Sequence, residues 1–68
     1  METAFNPALL VERRKSLNLS QRGLAEKACV SQALVAELER GKHPPSKSSL
    51  SKISRALEVE EADLHSVY

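Results

Sequence analysis

Apolar residues recur at helical spacing in four stretches of the chain, with a shorter fifth at its end. In the first, Leu9, Leu10 and Leu17 fall on neighbouring faces, with Leu10 and Leu17 two turns apart. Asn6-Pro7 predicts where this helix begins. Asn accepts from free N–H groups, and Pro lacks a donor that would have had no partner there. Phe5 is placed to staple against Leu9 or Leu10. Asn18 is the predicted stop, because Asn tolerates the left-handed region.

The second stretch opens at Ser20 and carries Leu24, Ala25 and Ala28, a narrow buried face of small residues. The third opens at Ser31, runs to about Arg40 and turns Val35 and Leu38 inward, with Val30 just ahead. Ala28-Cys29-Val30 leaves room only for a tight turn between them. Gly41 follows, where a helix end favours positive φ. Pro44-Pro45 breaks the pattern and stiffens a loop. Ser46 then caps a fourth helix with the stripe Leu50, Ile53, Ala56 and Leu57. The remaining segment, EEADLHSVY, predicts a short acidic fifth helix with Val59 and Leu64 inward. No strand-length alternation appears, so the expectation is an all-α, compact, five-helix domain.

The run from Ser20 to Lys42 is the centre of this pattern. Two short helices joined by a tight turn form a helix-turn-helix candidate spanning 20–41, and the second helix of such a pair can enter a DNA groove.

Charge adds to that picture. The net charge is only +1, but residues 13–55 hold all ten Lys and Arg against three glutamates, leaving +7. Both flanks are acidic. Such segregation suits a polyanion-binding face at near-neutral balance. At 68 residues the chain is expected to form one domain, 1–68, with no cleft between domains and no enzyme site. Its single cysteine, Cys29, precludes an intrachain disulfide and a Cys-based zinc site. His43 and His65 lack partnering ligands, so neither metal nor cofactor is expected. No run approaches a membrane span and no secretory signal is visible, so a cytoplasmic setting is expected, in a bacterium or a phage-infected cell.

From about Leu9 to Leu64 the sequence resembles the Cro and phage-repressor type of helix-turn-helix DNA-binding domain. The resemblance rests on Leu19-Ser20-Gln21, Leu24-Ala25, Val30-Ser31, Val35, Leu38-Glu39-Arg40-Gly41-Lys42, Pro45-Ser46, Leu50, Ile53, Ala56-Leu57-Glu58-Val59 and Leu64. It implies a small transcriptional regulator, most simply a repressor that occupies an operator as a homodimer. By position, Gln32, Ala33, Ala36 and Glu37 match base-contacting residues. A Gln amide can pair with adenine N6 and N7. Ser20, Gln21, Ser31, Arg40, Lys42, His43 and Lys47 match phosphate contacts, and Gln21 is also placed to brace Gln32. Arg14 and Glu39 match an internal salt bridge.

Three positions depart from the family pattern. Cys29 stands where Gly is common in the turn. Leu34 occupies a site that is often polar, facing either a thymine methyl or another protein. Glu37 either accepts from cytosine N4 or pairs with Arg40. The competing function is an antitoxin-like or antirepressor-like protein-interaction module, with Leu34, Ala33 and Ala36 as its contact patch. Leu64, Val67 and Tyr68 are the candidate dimer surface.

Overall fold

Four helices start on a side-chain oxygen in this computed structural model, which describes residues 3–67. Asn6 Oδ1 accepts from Ala8 N at 3.0 Å, opening α1 (Pro7–Ser16). Ser20 Oγ accepts from Gly23 N at 2.9 Å and opens α2 (Gln21–Ala28). Ser31 Oγ accepts from Leu34 N at 3.0 Å and opens α3 (Gln32–Glu39). Ser46 Oγ accepts from Ser49 N at 3.2 Å and opens α4 (Lys47–Ala56). Each cap satisfies an N–H that the helix itself leaves without a partner, worth about 1 kcal/mol. Gly23 follows from its cap. A Cβ there would meet Ser20 Oγ at 3.3 Å and Leu19 Cδ2 at 3.5 Å, crowding the hydroxyl that starts the helix.

All four helices also end alike. Asn18, Cys29, Gly41 and Glu58 have φ of 58°, 59°, 73° and 60°. The next amide then reaches back to a carbonyl in the last turn: Leu19 to Arg14, Val30 to Ala25, Lys42 to Glu37 and Val59 to Ser54. This is the Schellman closure, and it satisfies carbonyls the helix leaves free. Leu19, Val30 and Val59 meanwhile pack against the core. Only Gly41 adopts the left-handed backbone without steric cost. At Cys29, a non-Gly residue in the turn between α2 and α3, the cost is roughly 1–2 kcal/mol. Cys29→Gly is therefore expected to raise stability by about 1 kcal/mol, some 4–8 °C in Tm for a domain of this size. A thermal melt that does not move would remove the strain argument.

The core is drawn from every helix. Leu10, Leu24, Ala25, Ala28, Val35, Leu38, Leu50, Ile53, Ala56 and Leu57 are buried, and Leu64 joins them from beyond α4. Ser54, the one buried polar residue among those described, donates to the Ser51 carbonyl at 3.1 Å. Arg13 Nε donates to the Leu57 carbonyl at 2.9 Å, placing a cation at the carboxyl end of α4 where the helix dipole favours it.

The predicted fifth helix does not form. The chain makes a single 3-10 turn, Glu61–Leu64, and then straightens into the strand His65–Val67. That strand, β2, pairs antiparallel with β1 (Thr3–Phe5), matching Thr3 with Val67, Ala4 with Ser66 and Phe5 with His65. The physical reason lies at Leu64. Once it is anchored in the core, its carbonyl accepts from Asn6 N at 2.8 Å, which brings the two chain ends alongside. Val67 and the partner residues Thr3 and Phe5 favour extended backbone. The Phe5 and His65 rings meet edge to face, with centroids 6.1 Å apart. Phe5 also packs against the core, but from a strand rather than as a helix staple. The fold is thus helical with one small two-stranded ribbon. Of the candidate dimer residues, Leu64 is buried, Val67 is exposed and Tyr68 lies outside the described residues.

Candidate nucleic-acid interface

Holding α3 outward requires fixing the angle between α2 and α3. Ala25 and Ala28 allow close approach, and Val35 and Leu38 fill the seam beneath. A polar clamp closes its edge. Arg14 of α1 grips the Glu39 carboxylate with two nitrogens, the Nη2–Oε1 bond measuring 3.0 Å. Its remaining nitrogen donates to the Leu19 carbonyl at 2.8 Å. Gln21 Nε2 of α2 adds a bond to the same carboxylate at 2.9 Å. The Arg14 and Glu39 side chains are only 11% and 7% exposed, so this pair is a structural tie between α1 and α3, which Gln21 extends to α2. Burial pushes the Glu39 carboxyl up. The Arg14 and Gln21 hydrogen bonds and the Arg14 charge outweigh it and hold the group below its ordinary value of 4.5.

Gln21 therefore bonds Glu39 and not Gln32. The expected brace between the two glutamines is absent because the carboxylate is the stronger acceptor. This bond commits one Gln21 amide hydrogen and leaves the other for a further acceptor. Ser20 and Ser31 use their oxygens as acceptors within the caps, which leaves each hydroxyl hydrogen to donate outward. Both residues are exposed at helix N-termini, where free N–H groups favour an anion.

Gln32 is the first residue of α3 and is exposed, as is Ala33. Ala36 and Glu37 follow one turn on and are partly buried. Arg40, Lys42 and Lys47 are exposed beyond the end of α3, and none joins an ion pair among the described residues. The cations elsewhere on the clamp and the α2 flank are engaged. Arg22 pairs with Glu26 at 3.3 Å and Lys27 with Glu58 at 3.1 Å.

Glu37 departs from one of its two expected roles, the pairing with Arg40. It accepts from His43 Nε2 at 3.1 Å, across the loop after α3, and it does not pair with Arg40. The other His43 nitrogen, Nδ1, lies 3.1 Å from the Pro44 carbonyl. With both ring nitrogens occupied, a direct bond from His43 to a phosphate requires breaking one of these. Nothing in the spacing of Glu37 and His43 advertised the contact, since the turn at Gly41 creates it. Leu34 is half-buried and packs in part against the core. No group of three or more His, Cys, Asp or Glu is placed to hold a metal ion among the described residues, and no helix there is long and apolar enough to cross a membrane.

A capped pair of short helices joined by a left-handed turn, with the second presenting polar and small side chains beside unpaired cations, defines a helix-turn-helix regulator of the DNA-binding class. The chain belongs to the helix-turn-helix family, whose sequence model matches residues 10–64. A comparison with curated proteins gave no match. Among solved structures, the restriction-modification controller protein C.AhdI from Aeromonas hydrophila is 31% identical, with a TM-score of 0.81 over 85% of this chain and 88% of that one. The biofilm master regulator SinR, solved in complex with DNA, is 32% identical, with a TM-score of 0.82 over 87% of this chain and 98% of that one. The P22 c2 repressor, solved with a synthetic operator, is 28% identical, with a TM-score of 0.81 over 85% and 88%.

Proposed function

We propose that the protein is a transcriptional repressor that occupies an operator with α3 in the major groove of duplex DNA. The observation that carries this reading is the outward face of α3. Gln32 stands exposed at its first position with Ala33 beside it, the α2 N-terminus meets the far end of the helix through Gln21 and Glu39, and the exposed Arg40, Lys42 and Lys47 follow that end. In this reading Gln32 reads adenine, Ala33 and Ala36 approach thymine methyls, and Glu37 lines the same groove. Ser20, Gln21 and Ser31 hold phosphates through helix N-termini, and Arg40, Lys42 and Lys47 supply charge. Residues 1–68 act as one DNA-binding unit in the cytoplasm. Two copies bind half-sites about 34 Å apart, because one such module has a small footprint.

The protein-interaction alternative needs a contiguous apolar patch on α3. Leu34 spends part of its surface on the core and Ala33 exposes only a methyl group, so such a patch would be small.

Selection from random duplexes at fixed salt tests the proposal and returns both the preferred sequence and the half-site spacing. On the selected operator, Gln32→Ala is expected to cost about 1–3 kcal/mol at one base pair and to relax the preference there. Lys42→Ala is expected to weaken all sequences alike. Equal loss on every operator variant would remove Gln32 as a base reader.

A further inference from the structure

The contact between His43 and Glu37 joins the α3 reading face to the loop that follows it. Its chemistry is one-sided. The Pro44 carbonyl and the Glu37 carboxylate only accept hydrogen bonds, yet they lie 3.1 Å from the two ring nitrogens of one imidazole. A neutral imidazole has a single N–H and satisfies one of them, whereas the imidazolium satisfies both. The geometry is therefore built for the charged ring.

We propose that His43 is a positioning residue for Glu37: as imidazolium it ties the carboxylate to the loop and cancels its charge on the face that meets DNA. Losing the ring proton removes the charge that cancels the Glu37 carboxylate beside a polyanion and leaves one of the two ring contacts without a donor. DNA binding therefore takes up protons and tightens as pH falls. This rests on the DNA-binding reading above.

The surroundings support the assignment. The hydrogen bond to the Pro44 carbonyl and then that to Glu37 raise the His43 pKa above 6.5, and the charge of Glu37 adds to them. Lys42 beside it opposes protonation. The cavity that His43 and Lys42 share, about 360 Å³, is otherwise walled by Ala4, Phe5, Pro7, Gly41 and Pro44, none of them titratable. Arg40, the residue that follows α3, makes no ion pair with Glu37.

The test is duplex affinity on the selected operator from pH 8 to pH 5.5 at constant ionic strength. The parent protein, Glu37→Gln, His43→Gln and His65→Gln are compared. Linkage limits the change to about tenfold per pH unit for each proton taken up. The parent is expected to tighten several-fold per copy across that range, and His65→Gln to follow it. Glu37→Gln and His43→Gln are expected to give flat profiles. A pH response that survives in Glu37→Gln would overturn the proposal, since the ring would then be acting on phosphate directly. Binding by the parent with no pH response would overturn it as well. Failure of the parent to bind any duplex at either pH would instead sink the DNA-binding reading, and this inference with it.

Discussion

Arg14→Ala is expected to lower stability by about 3–5 kcal/mol, the range for breaking one partner out of a buried ion pair. A small domain has only about 5–15 kcal/mol in total, so the variant should melt far below the parent or fail to fold. The cost has two parts. The Glu39 carboxylate loses its counter-charge at 7% exposure, and the Leu19 carbonyl loses its donor between α1 and α2. Replacing both charges with apolar residues of similar size, Arg14→Met with Glu39→Leu, should cost much less, because no buried charge is then left unpaired. A double-mutant cycle separates the pair from its surroundings.

Acid titration gives a second readout. The Glu39 carboxyl is held below its ordinary value in the folded protein, so its stabilisation is present above about pH 4.5 and is lost as pH falls through the lowered value. In Arg14→Ala, burial acts on Glu39 without the opposing arginine, so this acid-sensitive contribution should shrink. Where the variant still folds, its base preference should match the parent, since neither residue lies on the outer face of α3. An unchanged Tm with an altered preference would contradict a structural role.

The parts of this molecule legible in its sequence are those decided within one helical turn. Asn6, Ser20, Ser31 and Ser46 each cap the helix expected of them, because the oxygen and the N–H it satisfies are two or three residues apart. Gly41 and Asn18 advertised their left-handed backbone by residue type. Glu58 did not, and its positive φ comes from the Schellman closure that seats Val59 on the core. The ribbon of β1 and β2 was invisible for a different reason. Its strands are three residues each and pair across nearly the whole chain, so no local alternation exists to read. The acidic EEADL segment looked helical because its first turn is locally favourable, but burial of Leu64 ends it there.

The site divides along the same line. The outward placement of Gln32 and Ala33 follows from the helical period once Val35 and Leu38 are inward. The Arg14–Glu39 tie came only from family resemblance, since 25 residues separate its partners. The bonds of Gln21 to Glu39 and of His43 to Glu37 depend on how two elements meet, and neither has a sequence signature.

Raising salt from 50 to 200 mM is expected to weaken operator binding by orders of magnitude, and the size of the loss also counts the copies on the DNA. Arg40, Lys42 and Lys47, the cations assigned to phosphate in the proposed function, are exposed and join no ion pair among the described residues. If each neutralises one phosphate, log K falls against log salt with a slope of about −2.7 per copy, or about a 40-fold loss over that interval. Two copies double the slope, and the loss becomes roughly 2,000-fold. Lys42→Ala should then shallow the slope by about 1 for one copy and about 2 for a dimer. Glu37→Gln should change affinity with little change in slope, because it removes no phosphate contact. A protein-docking surface centred on Leu34 would behave differently, since apolar contacts involve no counterion release and hardly respond to salt in this range. A flat salt profile on the preferred duplex would therefore refute the phosphate roles assigned to the three cations. A slope near −2.7 would keep those roles and reject the dimer.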